Sequence, residues 1–187
     1  MCADLDDLKV ARLIHEAKGV DGRVKLQKIV YLLMAMGFDF PYDDFRILQR
    51  GPYSPSLAAT VDCLSACGLV VQEKEDLGTA TNGTPIVRYN YRVTKEIGKL
   101  LKELKIGIPT GGPRARFPKA IRLLASTNVY VLEVAATILY LRDEDGLSGK
   151  HLESELKLLK GHLLSHFDAA RAFLSDLKSK GLLRLAT

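Results

Sequence analysis

Residues 129–141 carry apolar side chains on every face of a predicted helix, with Glu133 as the one charged residue among them. A helix of this kind has to be buried, either at the centre of a domain or in an oligomer. We expect the central position, because 187 residues, 47% of them hydrophobic, suffice for one large core or two small ones. A buried Glu133 would then need a cationic or hydrogen-bonding partner.

The same apolar run is too short to span a bilayer, which requires about 18 consecutive apolar residues. Residues 1–4 lack the basic region, followed by an apolar run, that is typical of a secretory signal. We therefore expect a cytoplasmic protein without a membrane partner. The chain has three cysteines, an odd number that disfavours a disulfide framework, and Cys63 and Cys67 are predicted to be small buried thiols.

Hydrophobic periodicity and turn residues predict four helices and three strands in the first half of the chain. In chain order they are helices at 4–17 and 23–36, a strand near 45–48, a helix at 55–67, strands at 69–73 and 86–93, and a helix at 95–104. Asn82-Gly83, between the last two strands, is typical of a hairpin. Three helices with a β-hairpin wing are the winged-helix arrangement, so we predict a winged helix-turn-helix domain over residues 1–105.

The third of these helices has the clearest boundaries. Ser54 is a good N-cap, and Pro55 follows at the first helical position, where its missing N–H costs nothing. Helical spacing predicts that Leu57, Val61 and Leu64 face inward. The residues predicted to face outward or sideways are Ser56, Thr60, Asp62 and Cys63.

Residues 106–118 contain three glycines and three prolines, and are predicted to be a linker. Beyond it, residues 119–187 are predicted to be helical, with helices near 118–126, 129–142, 148–159 and 166–180 and a capping box begun by Ser165. The last helix closes on Gly181-Leu182-Leu183 as the third closes on Gly68-Leu69-Val70, so the second half could instead be a reduced second winged-helix domain. The predicted fold is α+β and mostly α.

Two separated segments resemble one protein family. Residues 25–31, Lys-Leu-Gln-Lys-Ile-Val-Tyr, resemble the K-L-Q-K-hydrophobic-hydrophobic-Y segment of the YwgA-like proteins of bacteria and archaea. Residues 51–54, Gly-Pro-Tyr-Ser, with the following Leu57, resemble their G-P-Y-S-x-x-L segment, although Arg50 stands where an aromatic residue often precedes it. Related sequences occur in the SocA-like antitoxin domain called Panacea. The resemblance covers residues 20–72 and implies a winged helix, with relatives that neutralise toxins or deliver partners to proteases, and no catalytic residue.

No set of residues predicts catalysis, a metal or a cofactor. His162 and His166 are four residues apart, but a helix predicted to begin at Ser165 separates them, so we expect no metal site. The sequence has no G-x-S-x-G elbow, and its cysteines have no adjacent histidine. Residues 111–113 lack the Gly-Lys-Ser/Thr of a phosphate loop. We therefore predict that the protein is not an enzyme.

The distribution of charge favours nucleic acid as a partner of the second half. Residues 1–104 carry fourteen basic and fourteen acidic side chains, whereas residues 105–187 carry thirteen and eight. The predicted third helix, which enters the major groove in helix-turn-helix proteins, has no lysine or arginine. Arg50, Arg88 and Arg92, elsewhere in the first half, compensate only in part for the lack of cations on this helix. The predicted nucleic-acid-binding residues are Arg114, Arg116, Lys119, Arg122, Arg171 and Lys178, and the alternative for them is ordinary solvated charge.

A protein partner, or a second copy of the chain in a homodimer, is the other candidate. Tyrosines favour interfaces, and the predicted partner-binding residues are Arg50, Tyr53 and Ser54. The role that we favour is a non-catalytic, transcription-regulator-like protein that binds nucleic acid through its basic second half. The alternative is an antitoxin-like or adaptor module that works by protein contacts.

Overall fold

Short antiparallel strands join and cover the helices of the first half of the chain. The structure is a computed structural model, which describes residues 5–79, 83–110 and 116–183. In chain order the elements are α1 (Asp7–Glu16), β1 (Val20–Asp21), α2 (Arg23–Ala35), β2 (Arg46–Leu48), β3 (Gly51–Tyr53), α3 (Pro55–Ala66), β4 (Val71–Thr79), β5 (Pro85–Arg92) and α4 (Lys95–Glu103). The predicted helices are confirmed to within a few residues at their ends. Strands β4 and β5 pair as predicted, but β4 extends to Thr79, six residues beyond its predicted end, and Asn82 of the predicted turn lies outside the described residues.

The second half is helical in its described residues. It consists of α5 (Phe117–Ser126), α6 (Val129–Asp143), α7 (Gly149–Lys160), a 3₁₀ helix (Gly161–His166) and α8 (Phe167–Ser179). The capping box predicted at Ser165 is wrong, because the 3₁₀ helix continues directly into α8 and already pairs the Phe167 N–H with the Leu164 carbonyl. Leu182 and Leu183 are buried after α8, but they do not form a strand.

Two small sheets connect distant parts of the first half. The three-stranded sheet has the order β1-β5-β4, with Val20 opposite Tyr91 and Val71 opposite Arg92. A second, two-stranded sheet pairs β2 with β3. Neither β1 nor β3 was predicted, since a strand of two or three residues is too short for a periodic pattern and β3 contains Pro52.

The inward face of α3 agrees with its prediction. Leu57 and Leu64 are fully buried and Val61 nearly so, whereas Ser56 and Asp62 are exposed. The Ser54 hydroxyl accepts a hydrogen bond from the Leu57 N–H at 2.9 Å, as expected of an N-cap followed by Pro55. The register predicted for this helix is confirmed.

Helix α6 lies at the centre of a core to which both halves contribute. Residues 132–139 are all buried, and α6 packs against α2, β3, α7 and α8, which confirms its central position. Helix α5 in turn packs against α1 and α2, so a single hydrophobic core extends across the predicted linker. Within the described ranges no single helix is long and apolar enough to cross a bilayer. Helices α5 and α6 meet the length and composition criteria only as a pair, and a bend of 119° separates them.

Candidate functional site

The two segments that carry the family resemblance contact each other. The Gln27 side chain donates to the Ser54 carbonyl and accepts from the Ser54 N–H, both at 2.9 Å. The Lys28 ammonium donates to the Pro52 carbonyl at 2.6 Å. Gln27, Lys28 and Ser54 are all buried. Because buried backbone groups need hydrogen-bond partners, these side chains hold β3 in place against α2.

A buried ion pair lies beneath the hairpin formed by β2 and β3. The Lys160 ammonium of α7 contacts the Glu133 carboxylate of α6 at 2.7 Å, and neither side chain is more than 3% exposed. Lys160 also donates to the Gln49 carbonyl in the β2–β3 turn at 2.6 Å. The partner that Glu133 was predicted to need is thereby confirmed. The ammonium groups of Lys28 on α2 and Lys160 on α7 therefore both bind backbone carbonyls of the β2–β3 hairpin.

Gly51 lets this hairpin approach α6 closely. Its φ is +79°, in the left-handed region, and a Cβ there would lie 2.6 Å from the Thr137 Oγ1. The Thr137 hydroxyl cannot easily turn away, because it donates to the Glu133 carbonyl at 2.8 Å. Both the backbone conformation and the lack of space therefore require glycine at this position.

The pKa of Lys28 is lowered from 10.5 to about 7, chiefly by burial; the Glu133 carboxylate opposes this shift, and the nearby cations Lys160 and Arg50 contribute to it. Between pH 7 and pH 10 the unfolded chain then holds more protons at this site than the folded one. The free energy of unfolding of the wild type should therefore rise, relative to that of a Lys28→Met variant, as pH increases from 7 to 9. The expected increase is up to about 1 kcal/mol per pH unit.

Urea unfolding of both proteins at pH 7, 8 and 9 would measure this difference. An exposed-lysine variant, Lys150→Met, should follow the wild type at all three values. Parallel pH profiles for wild type and Lys28→Met would contradict the lowered pKa.

A cleft of about 500 Å³ opens between the β4–β5 hairpin and the first turns of α2 and α6. We call it the hairpin cleft. Four cationic side chains line it, together with Asp21 and the ion-paired Glu133. The cations are Arg23, Lys25, Arg50 and Arg88.

A second cleft, of about 360 Å³, adjoins the first and shares Asp21 and Lys25 with it. It lies between the end of α1 and the end of α5, and Glu16 is its other acidic residue. Together the two clefts form a surface that we call the basic strip. The cations of the basic strip are Lys18, Arg23, Lys25, Arg50, Arg88, Arg92 and Arg122.

Neighbouring side chains fix several of these cations. The Arg23 guanidinium lies 4.2 Å from the centre of the Tyr89 ring, and its Nε donates to the Tyr91 hydroxyl at 3.2 Å. Arg92 pairs with Asp21 at 2.8 Å, and Arg23 and Arg88 pair more loosely, each at 3.6 Å, with Asp62 and Glu75. A charge that is already held in place loses less entropy when it binds an anion.

The residues predicted to bind nucleic acid are divided by the structure. Arg122 lies in the basic strip, Lys119 is exposed in the first turn of α5, and Arg116 is exposed at the N-cap of that helix. Arg116 donates to the Gly181 carbonyl at 2.9 Å, which brings the start of α5 to the end of α8, near the exposed Lys178. Arg171 is occupied by ion pairs with Glu153 at 3.2 Å and Asp168 at 3.9 Å, and Arg114 lies outside the described residues.

The residues predicted to bind a partner differ in exposure. Arg50 is exposed in the hairpin cleft, and Tyr53 is half-buried. Ser54 is fully buried, and its hydroxyl, besides capping α3, donates to the Asp44 carboxylate, so this side chain is not at the surface. Cys63 and Cys67 are half-buried rather than buried as predicted, because they lie beside the inward face of α3.

Sequence reasoning missed Lys18, Arg23 and Lys25. A signal was present for the last two: they stand in the first turn of α2, which has no acidic residue and no side-chain cap. Cations there oppose the helix dipole, so their presence indicates another use for the charge. In the described part of the chain, no three or more His, Cys, Asp or Glu side chains come close enough to hold a metal ion.

The chain is similar to the uncharacterised protein YwgA of Bacillus subtilis (strain 168), with 25% identity over 173 residues. The match covers 91% of this chain and 95% of that protein, so the similarity extends well beyond the two motifs. No family model matches the chain.

Proposed function

We propose that this chain is a non-catalytic, regulator-like protein that binds nucleic acid through the basic strip. The observation that carries the proposal is the continuity of two clefts that share Lys25 and are lined by seven cationic side chains. Phosphate contacts supply most nucleic-acid affinity, and a groove of like charges follows a phosphate backbone well. Arg122 belongs both to this surface and to the one predicted from the sequence.

The N-terminal unit is, in this proposal, a winged helix that does not use its third helix for binding. With the β2–β3 hairpin set aside as an insertion between α2 and α3, the order α1-β1-α2-α3-β4-β5 and the sheet order β1-β5-β4 support the winged-helix assignment. Helix α3 has no cation, and the outer strand β4 presents exposed Glu73, Glu75 and Asp76. Glu75 pairs with Arg88 of the basic strip at 3.6 Å, and acids along β4 disfavour a polyanion on that strand.

The test is binding of fluorescently labelled duplex and single-stranded DNA of mixed sequence, measured by anisotropy from about 50 mM salt upward. Log affinity should fall linearly with log salt, and the triple variant Lys18→Gln, Arg50→Gln, Arg122→Gln should flatten this slope by about 0.7–0.9 per lost contact. The matched control replaces three exposed lysines that line neither cleft, Lys99, Lys150 and Lys157, by glutamine. It has the same charge change and should keep the wild-type slope.

Equal weakening by the two triple variants would show that net charge alone, rather than this surface, binds the polyanion. If no DNA or RNA binds at about 50 mM salt, the proposal fails. The adaptor alternative would then be favoured by an exposed apolar patch between the β2–β3 hairpin and α7, where Leu158 is 79% and Leu48 45% exposed. Apolar patches of this kind mark protein contacts.

A further inference from the structure

The hairpin cleft joins its cations to an apolar wall. Leu77 of β4 and Ile86 of β5 line it with 43% and 44% of their surface exposed, and Tyr130 of α6 with 46%. Exposed apolar side chains beside four cations do not contribute to the binding of a phosphate group alone. They suit a ligand that has both an anionic part and a flat apolar part.

The Tyr130 ring is positioned for such a ligand. It stacks on the His166 imidazole at 5.3 Å between ring centres, with an angle of 27° between the planes. The Tyr130 backbone N–H donates to the side-chain oxygen of Asn128 at 2.8 Å, which holds the residue at the first turn of α6. A supported but half-exposed ring loses little conformational entropy when a second flat group packs against it.

The floor of the hairpin cleft does not repel an anion. Of its two acids, Asp21 pairs with Arg92 at 2.8 Å and Glu133 with the buried Lys160 at 2.7 Å. The buried Lys28 also interacts electrostatically with Glu133, so two buried amines lie behind that carboxylate. The first turn of α2, without a side-chain cap, adds the positive end of a helix dipole to the same cleft.

We propose that the hairpin cleft receives an unpaired nucleotide of a single-stranded nucleic acid, with the phosphate on its arginines and the base against Tyr130. The inference rests on the proposed function and makes it more specific. A volume of about 500 Å³ accommodates one nucleotide, whereas a duplex is too wide to enter and keeps its bases stacked inside. Stacking on an aromatic side chain is possible for every base, so the cleft selects strandedness rather than sequence.

The experiment compares three probes of about 12 nucleotides: an oligothymidylate, an abasic strand with the same phosphates, and a mixed-sequence duplex. The wild type should bind the oligothymidylate about 5- to 100-fold more tightly than the abasic strand, as expected for one stacked base. Tyr130→Ala should reduce this ratio to near one, whereas Tyr130→Phe, which keeps the ring, should preserve it. Leu158→Ala, an exposed apolar change outside the cleft, should leave all three affinities unchanged.

The outcomes separate this inference from the proposed function. Similar affinities for the oligothymidylate and the abasic strand, or tighter binding of the duplex, would overturn the single-strand inference while the nucleic-acid function stands. Binding of none of the three probes would overturn both. Competition by thymidine monophosphate at concentrations as low as those of the strand would assign the cleft to a free nucleotide and also overturn the inference.

Discussion

Replacement of Lys160 by methionine is expected to lower the free energy of unfolding by about 3 kcal/mol, and the upper bound is about 5 kcal/mol. The methionine fills nearly the same volume but leaves the Glu133 carboxylate buried without its partner, and it removes the hydrogen bond to the Gln49 carbonyl. Loss of one member of a buried pair costs far more than the pair contributes. The lower figure is expected because Lys28 remains close to Glu133. Urea denaturation at pH 7 measures the change.

Two further variants show whether the uncompensated charge is the cause. Lys157→Met, on the exposed side of the same helix, should change stability by less than about 0.5 kcal/mol. The double variant Glu133→Leu, Lys160→Met should recover most of the loss, since apolar replacement of a buried pair is often nearly neutral. If Lys160→Met is no less stable than Lys157→Met, the buried ion pair does not stabilise the fold in the way we describe.

Gly51→Ala is expected to be nearly as disruptive, with a loss of about 2–4 kcal/mol. About 1–2 kcal/mol arises from the left-handed backbone conformation, and the rest from contact of the new Cβ with the Thr137 hydroxyl at 2.6 Å. Relief of that contact would require the hairpin to move away from α6, which would stretch the hydrogen bonds of Lys28 and Lys160 to its backbone.

Gly68→Ala is the matched control, because Gly68 also has a left-handed φ, +71°, but a Cβ there meets nothing within 4 Å. It should lose only the backbone contribution of about 1–2 kcal/mol. Addition of Thr137→Ala to Gly51→Ala should restore part of the difference by making room. Thermal unfolding of the wild type, the two glycine variants and the double variant measures these losses of stability. Equal losses for Gly51→Ala and Gly68→Ala would mean that the close approach of Gly51 to α6 has no energetic role.

Helices α2, α3 and α6 could be predicted because each carries a long apolar face or, in α6, apolar residues all round. Of the strands that were missed, β3 is short and contains Pro52, whereas β1 depends on a partner far along the chain. Strand β1 has two residues and forms only because β5, about 70 residues later, pairs with it. At Ser165 the reason is local, since the preceding 3₁₀ helix runs directly into α8 and His166 takes the N-cap position without a side-chain cap.

The candidate site shows the same division. Chemistry alone required a partner for Glu133, but nothing local indicated Lys160, which lies 27 residues away on another helix. The basic strip combines cations from Lys18 to Arg122. The sequence pattern singled out Arg122 as a nucleic-acid-binding residue, and it indicated Arg50, Arg88 and Arg92 only as scattered, partly compensating charges. Arg23 and Lys25 could have been found from their unfavourable position at a helix start.

The dependence of the β2–β3 hairpin on α6 and α7 has a consequence for synthesis of the protein on the ribosome. Lys160 binds the Gln49 carbonyl across 111 residues of chain, and α6 completes the packing around α2. Contacts at such separations form late. During translation, the nascent first half must therefore wait with its apolar surface uncovered until residue 160 leaves the exit tunnel. Synthesis proceeds at roughly 5–20 residues per second, so this exposure lasts for seconds. A chaperone or a codon-dependent pause would affect the yield of folded protein most during this interval.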